Sequence, residues 1–197
     1  MNKLRIALLA AAGLASPPAF AQDKDASEFT GPRAEATIGF DQIRFDLATA
    51  TDGREKQGDL GYGMAIGYDV AVAPRLVAGI DVGLNLADTG YSYGDATDGG
   101  ELRKRREITV AGRIGTPITA NTLLYGKLGY ANLQLRQDDT VAGVTSSAKN
   151  NLDGVLLGAG VEVKLLPNAY WKSEYRYTDY ARGVVSNNIT TGVGIRF

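Results

Sequence analysis

The chain contains no histidine and no cysteine. The first absence removes the commonest general base and metal ligand, and with it every Ser-His or His-Asp catalytic arrangement. The second removes disulfides, thiolate metal sites and thiol nucleophiles. Of the metal chemistries only carboxylate sites remain. Basic charge is not in excess either. Twenty-one Lys and Arg stand against 22 Asp and Glu, for a formal net charge of −1, which is not the balance of a nucleic-acid binder. Beyond the first 21 residues no stretch is long and apolar enough for a transmembrane helix. A chain of this kind can sit in a bilayer only as a closed β-barrel, the other backbone solution that leaves no unpaired groups in lipid. We expect no cofactor, no metal and no nucleic-acid partner.

The one apolar run stands at the N-terminus. Lys3 and Arg5 precede Ile6 to Ala15, Pro17 and Pro18 break the run, and Ala19-Phe20-Ala21 is a small-x-small cleavage site. The pattern is that of a secretory signal peptide, too short for a stop-transfer helix. The competing reading is a buried N-terminal helix. The expected organisation is a signal peptide over 1–21, a flexible periplasmic tail over 22–31, and a barrel over 32–197. Loss of Lys3 and Arg5 with the leader takes the formal charge to −3.

Period-two alternation fills the rest. Ala34, Ala36, Ile38 and Phe40 alternate with Glu35, Thr37, Gly39 and Asp41; Ile43 and Phe45 then fall out of phase, which predicts a bulge near Asp41–Gln42. Leu60, Tyr62, Met64, Ile66, Tyr68 and Val70 alternate with glycines, Ala65 and Asp69. Similar segments follow around Leu76–Leu86, Glu107–Ile114, Leu124–Ala131 (with a phase slip before Leu133 and Leu135), Gly154–Leu165, Tyr170–Thr178 and Asn188–Phe197. That makes eight strands. The connections alternate. Long polar ones (Ala48–Asp59, Ala87–Glu101, Gln137–Asn151, Tyr180–Asn187) interleave with short turns (Ala71–Pro74, Thr116–Asn121, Leu166–Asn168). Long extracellular loops and short periplasmic turns are the asymmetry of an outer-membrane barrel. The fold class expected is all-β, an eight-stranded antiparallel up-and-down transmembrane β-barrel.

In the last strand Ile189, Thr191, Val193, Ile195 and Phe197 share one face. This strand, with Gly192-Val193-Gly194-Ile195-Arg196-Phe197, the preceding Glu174-Tyr175-Arg176-Tyr177-Thr178-Asp179-Tyr180, and Leu60-Gly61-Tyr62-Gly63 to Gly67-Tyr68-Asp69, resembles the small outer-membrane β-barrels. These are the opacity-protein/porin-like family and the transmembrane domain of outer-membrane protein A. The resemblance covers nearly all of Pro32 to Phe197. It implies localisation in the bacterial outer membrane, with outer-membrane lipid and lipopolysaccharide as surroundings. It also implies that Val193, Ile195 and Phe197 form the signal read by the barrel-assembly machinery.

Eight strands enclose a lumen just wide enough to be filled by side chains. By parity Glu35, Asp69, Asp81, Glu107, Arg113, Lys127, Glu162, Lys164, Glu174, Arg176 and Arg196 point inward. Mixed signs predict an internal ion-pair network that plugs the lumen; the alternative is a narrow small-solute pore. Of this set we take Glu107, Arg113, Lys127, Glu162, Lys164, Glu174, Arg176 and Arg196 as the network. The run Arg103-Lys104-Arg105-Arg106 enters a strand at the extracellular end. Lys104 and Arg106 share the outward parity of Ile108, so they are the candidates for lipopolysaccharide phosphate contacts; the bland reading is a solvated face. Tyr62, Tyr68, Tyr130, Trp171, Tyr175, Tyr177 and Phe197 suit interfacial aromatic girdles better than a carbohydrate platform. Gly61-Tyr62-Gly63 with Gly67 misses the dinucleotide spacing. The expected function is non-enzymatic: a structural or surface-interaction barrel, with a pore or a host-binding adhesin acting through its loops as alternatives. A lipid A-modifying enzyme is opposed by the missing histidine, and a soluble lipocalin-like barrel by the outward apolar parity.

Overall fold

The computed structural model describes residues 25–46, 54–87, 90–94, 99–141 and 144–197. The leader expected over 1–21 lies outside the described residues. The strands are β1 (Gly31–Asp46), β2 (Arg54–Ala73), β3 (Leu76–Ala87), β4 (Gly90–Gly94), β5 (Gly99–Thr119), β6 (Thr122–Val141), β7 (Val144–Lys164), β8 (Ala169–Tyr180) and β9 (Val184–Arg196). Consecutive strands pair antiparallel except β3 and β4, β3 pairs instead with β5, and β9 pairs with β1, so the sheet closes on itself. The short β4 pairs with the outer part of β5 that β3 does not reach. It continues the lane of β3, and the ring therefore has eight lanes. Closure leaves no strand edge within the membrane-spanning part, as hydrocarbon demands.

The outward face is apolar where the sequence put it. Ile38, Leu60, Met64, Ile66, Ile80, Leu128, Val155 and Ile189 are each more than half exposed. In water such a surface would be a liability; in a bilayer it is the surface the solvent requires. Tyr130, Trp171, Tyr175 and Tyr177 lie on the same face, less exposed.

Three expectations are corrected. No bulge interrupts β1: its pairing with β2 runs unbroken from Gly31↔Asp69 to Asp46↔Arg54, and Ile43 is buried on the same side as Asp41. No phase slip interrupts β6 either, since Leu133 and Leu135 are buried in unbroken register with β7. Both errors came from equating apolar with lipid-facing; these residues fill the extracellular end of the lumen. The third concerns the tail over 22–31, which is folded from Asp25 onward. Asp25 accepts from the Ser27 backbone N–H at 2.9 Å, which holds its carboxyl below the usual range, and it caps a 3-10 turn over Ala26–Phe29. The Ala26 N–H donates to Pro74 O at 2.9 Å. Ala26 and Phe29 are fully buried against Val77 and Leu123 at the periplasmic mouth. Gly31, at φ 109°, turns the chain from this stopper into β1, a conformation glycine adopts without steric penalty.

Several segments read as loops are strand instead. The β6–β7 hairpin stays paired up to Val141↔Val144, past the last residue that β8 reaches on β7, Gly154. Part of the barrel wall thus stands above the level where the ring closes.

Candidate functional site: lumen and extracellular rim

Period two sends alternate residues of each strand into the lumen, and antiparallel register decides which of them meet. At the periplasmic end Arg33 and Arg196 are cross-strand partners on β1 and β9. Asp69 of β2 bonds both, to Arg33 Nε and to Arg196 Nη1, each at 3.0 Å. Glu162 of β7 takes Arg196 Nη2 at 2.5 Å and Arg113 Nη2 at 3.0 Å. One level further in, Arg33 reaches Glu35 (2.5 Å) and Asp81 (2.6 Å). Lys127 bridges Asp81 (2.5 Å) and Glu174 (2.8 Å), and Lys172 bridges Glu35 (2.5 Å) and Glu174 (3.4 Å). Tyr125 donates to Glu174 and Tyr170 to Glu35, both at 2.8 Å. The Arg113 guanidinium lies over the Tyr125 ring, 4.3 Å from its centroid. Toward the outside Lys104 joins Asp41 and Glu107 (3.1 Å), Arg176 stands 3.7 Å from Glu107, and Ser186 donates to Asp41 at 2.7 Å.

Seven cations (Arg33, Lys104, Arg113, Lys127, Lys172, Arg176, Arg196) thus meet seven carboxylates (Glu35, Asp41, Asp69, Asp81, Glu107, Glu162, Glu174). Balanced pairing offsets the desolvation that a lone charge would suffer there. Small cavities lie within the network, one of about 30 Å³ beside Lys172, Glu174 and Thr109 and one of about 10 Å³ beside Thr37, Asn85 and Asn188. Beside the outer charges Ile43, Leu133, Leu135, Leu152, Leu156, Tyr180 and Val184 belong to a buried apolar cluster, with Leu133 opposite Glu107 and Leu135 opposite Lys104.

Of the residues expected in the network, Glu107, Arg113, Lys127, Glu162, Glu174, Arg176 and Arg196 lie in the lumen. Lys164 does not. It sits at the periplasmic rim, 2.5 Å from Glu28 and over the Phe29 ring. Arg33, Asp41, Lys104 and Lys172 join the network beyond the inward set expected from the sequence. Arg33 shares the parity of Glu35, so beginning the strand at Gly31 would have found it.

Lys104 also corrects the reading of the rim. It is 1% exposed and inward, so it is no lipopolysaccharide contact. The cause is a bulge: the β5–β6 register shifts between Lys104 and Arg106, so that Lys104 pairs with Leu135 and Arg106 with Gln134. Arg106 keeps the outward parity and donates weakly to Gln134 Oε1 at 3.4 Å. Val193, Ile195 and Phe197 face outward and are exposed.

Residues 6–197 match the family described as outer membrane protein beta-barrel domain. A 22 kDa outer membrane protein of Rhizobium leguminosarum bv. viciae is 34% identical over 125 residues, 56% of this chain and 56% of that protein. The chain thus spans little more than half the length of that relative. The 25 kDa outer-membrane immunogenic protein of Brucella ovis is 28% identical over 150 residues, 76% of this chain and 69% of that protein. Among solved structures, Ail, the attachment invasion locus protein of Yersinia pestis, aligns with a TM-score of 0.56 at 18% identity, covering 85% of this chain and 99% of that one. That likeness is one of fold. The chain belongs to the outer membrane beta-barrel family, and its place is the bacterial outer membrane.

Proposed function

We propose that this is a non-enzymatic barrel with a sealed lumen, whose function is exerted by the surface it presents outside the cell. The observation that carries the reading is the stacking of three closures along one axis. Phe29 and Ala26 fill the periplasmic mouth, ion-paired cations fill the middle, and the apolar cluster around Leu133 and Leu156, set beside Lys104 and Glu107, fills the outer end. An ion crossing this path would have to displace paired charges, opposed by about 3–5 kcal/mol for each buried pair broken, and then pass an apolar constriction. The missing histidine and cysteine support the absence of chemistry. The paired strands that rise above the ring support display, and so does the name of a relative, an outer-membrane immunogenic protein.

Single-channel recording in planar bilayers tests the sealed lumen. The intact barrel, its closure verified by heat-modifiable migration on a gel, is expected to give no stable conductance steps. Reproducible steps from the unmodified barrel would replace this reading with the narrow pore.

A further inference from the structure

We propose that the outward face of β5–β6–β7, just above the hydrocarbon band, is a phosphate-binding surface for lipopolysaccharide of the outer leaflet. It goes beyond the sealed-lumen reading and does not depend on it.

The bulge is what builds this surface. In a regular strand Arg103 and Arg105 would share one face and Lys104 and Arg106 the other. With the register shifted between Lys104 and Arg106, Lys104 turns in to Asp41 and Glu107, Arg105 is exposed at the bulge, and Arg103 and Arg106 pair with the outward residues Arg136 and Gln134. Three of four consecutive cations therefore reach the outside. The next strands extend the set: Arg103 pairs with Arg136, and Arg136 with Lys149, so three cations stand in register on adjacent strands. Strand spacing places them about 4.8 Å apart in backbone terms, close enough for two side chains to share one phosphate. Four of the five cations are arginines, whose planar fork matches phosphate oxygens in pairs.

Two carboxylates share this face among the described side chains of these strands. Asp138 accepts from Arg136 Nε at 2.9 Å, and Asp153 is taken by Tyr130 and by Asn132 at 2.7 Å. They leave the surface with an excess of positive charge.

Height selects the ligand. On β5 the outward apolar residues run from Ile108 through Val110 and Ile114 to Ile118. Ten residues at about 3.3 Å each, tilted by about 40°, span about 25 Å, the thickness of the apolar band of such barrels. Arg106 is the next outward residue, at the level of the headgroups. Lipid phosphate lies at that level, and a soluble polyanion would have no reason to meet a surface so close to the bilayer.

The test uses the whole barrel, refolded in detergent and verified by heat-modifiable migration, with purified lipopolysaccharide as the probe. The triple change R103Q/R105Q/R106Q is expected to weaken binding by about tenfold or more, as loss of charge-assisted contacts does. Arg75→Gln, which removes an exposed cation at a periplasmic turn, is expected to leave binding unchanged. Enzymatically dephosphorylated lipopolysaccharide should bind the unmodified barrel as poorly as intact lipopolysaccharide binds the triple variant. Neither inorganic phosphate nor heparin should compete at matched phosphate or sulfate concentration. The proposal is overturned if the triple variant binds normally, if R75Q weakens binding equally, if dephosphorylated lipopolysaccharide binds as well as intact, or if heparin or free phosphate displaces it.

Discussion

The two ends of the lumen are built from different chemistry on the same strands. Strand β7 contributes Glu162 near the periplasm and Leu156 and Leu152 toward the outside; β6 contributes Tyr125 and Lys127 below and Leu133 and Leu135 above. The lower end is directional. Asp69 is shared by Arg33, Arg196 and, at 3.5 Å, Arg113, so each group is held by partners on other strands. At the upper end apolar packing dominates: Leu133 and Leu135 stand opposite Glu107 and Lys104, whose ion-paired group with Asp41 is smaller than the lower network. A charged network fails when one member goes, because the rest remain buried without compensation; an aliphatic cluster loses only the contacts of the group removed and can partly collapse around the gap. The barrel is therefore strict at one end and forgiving at the other.

Asp69→Ala should give the largest effect. Three guanidiniums lose their shared carboxylate, and the expected loss is about 3–5 kcal/mol, read from urea unfolding of the barrel in lipid vesicles. A loss under about 1 kcal/mol would mean that the lower network is wet and adaptable, and the contrast between the ends would collapse. Leu156→Ala at the upper end should cost less, about 2–3 kcal/mol by the same measurement, in the lower part of the range for buried leucines. An upper-end loss exceeding that of Asp69→Ala would reverse the comparison. The third pair of changes sharpens it along a single strand. A side-chain carbon at Gly160 would come within 2.6 Å of the Tyr125 ring and 2.7 Å of Ser173 O, whereas at Gly158 the nearest atom is Tyr175 O at 3.4 Å. Gly160→Ala should destabilise by about 1–2 kcal/mol, because Tyr125 must shift and release Glu174. Gly158→Ala should be close to neutral. Equal effects would mean that Tyr125 is free to move and is no fixed part of the network.

Much of this was legible in the sequence, and the exceptions have a common cause. Alternation identifies which residues share a face, and the lipid-facing set from Ile38 to Ile195 follows directly. Parity also placed Glu174, Arg176, Glu162 and Lys127 inside. The failures fall where the rule that apolar means outward stops applying. Ile43, Leu133 and Leu135 are apolar and inward, so regular strands were misread as broken ones. The one bulge that moves a candidate site, at Arg105, lies within four consecutive cations, where hydropathy has no contrast to reveal a change of phase. Phe29 was assigned to a polar tail because its neighbours are polar; only the barrel mouth, made from distant turns, gives it somewhere to go. Ion-pair partners such as Arg33 with Asp81 depend on a ring of strands and cannot be read from a single one.

The facing of Arg33 and Arg196 across the β1–β9 junction has a consequence for the order of events in folding. Like charges set opposite one another on neighbouring strands repel. Here the repulsion is relieved by Asp69, carried by β2, and Glu162, carried by β7 two lanes away. The first and last strands therefore gain a charge-balanced base only when β2 and the β7–β8 pair already stand beside them. If they met early, the two guanidiniums would push them apart; meeting late, they find both acids waiting. The junction works as a latch whose two catches are carried by β2 and β7, so the ends shut in charge balance only with those strands beside them.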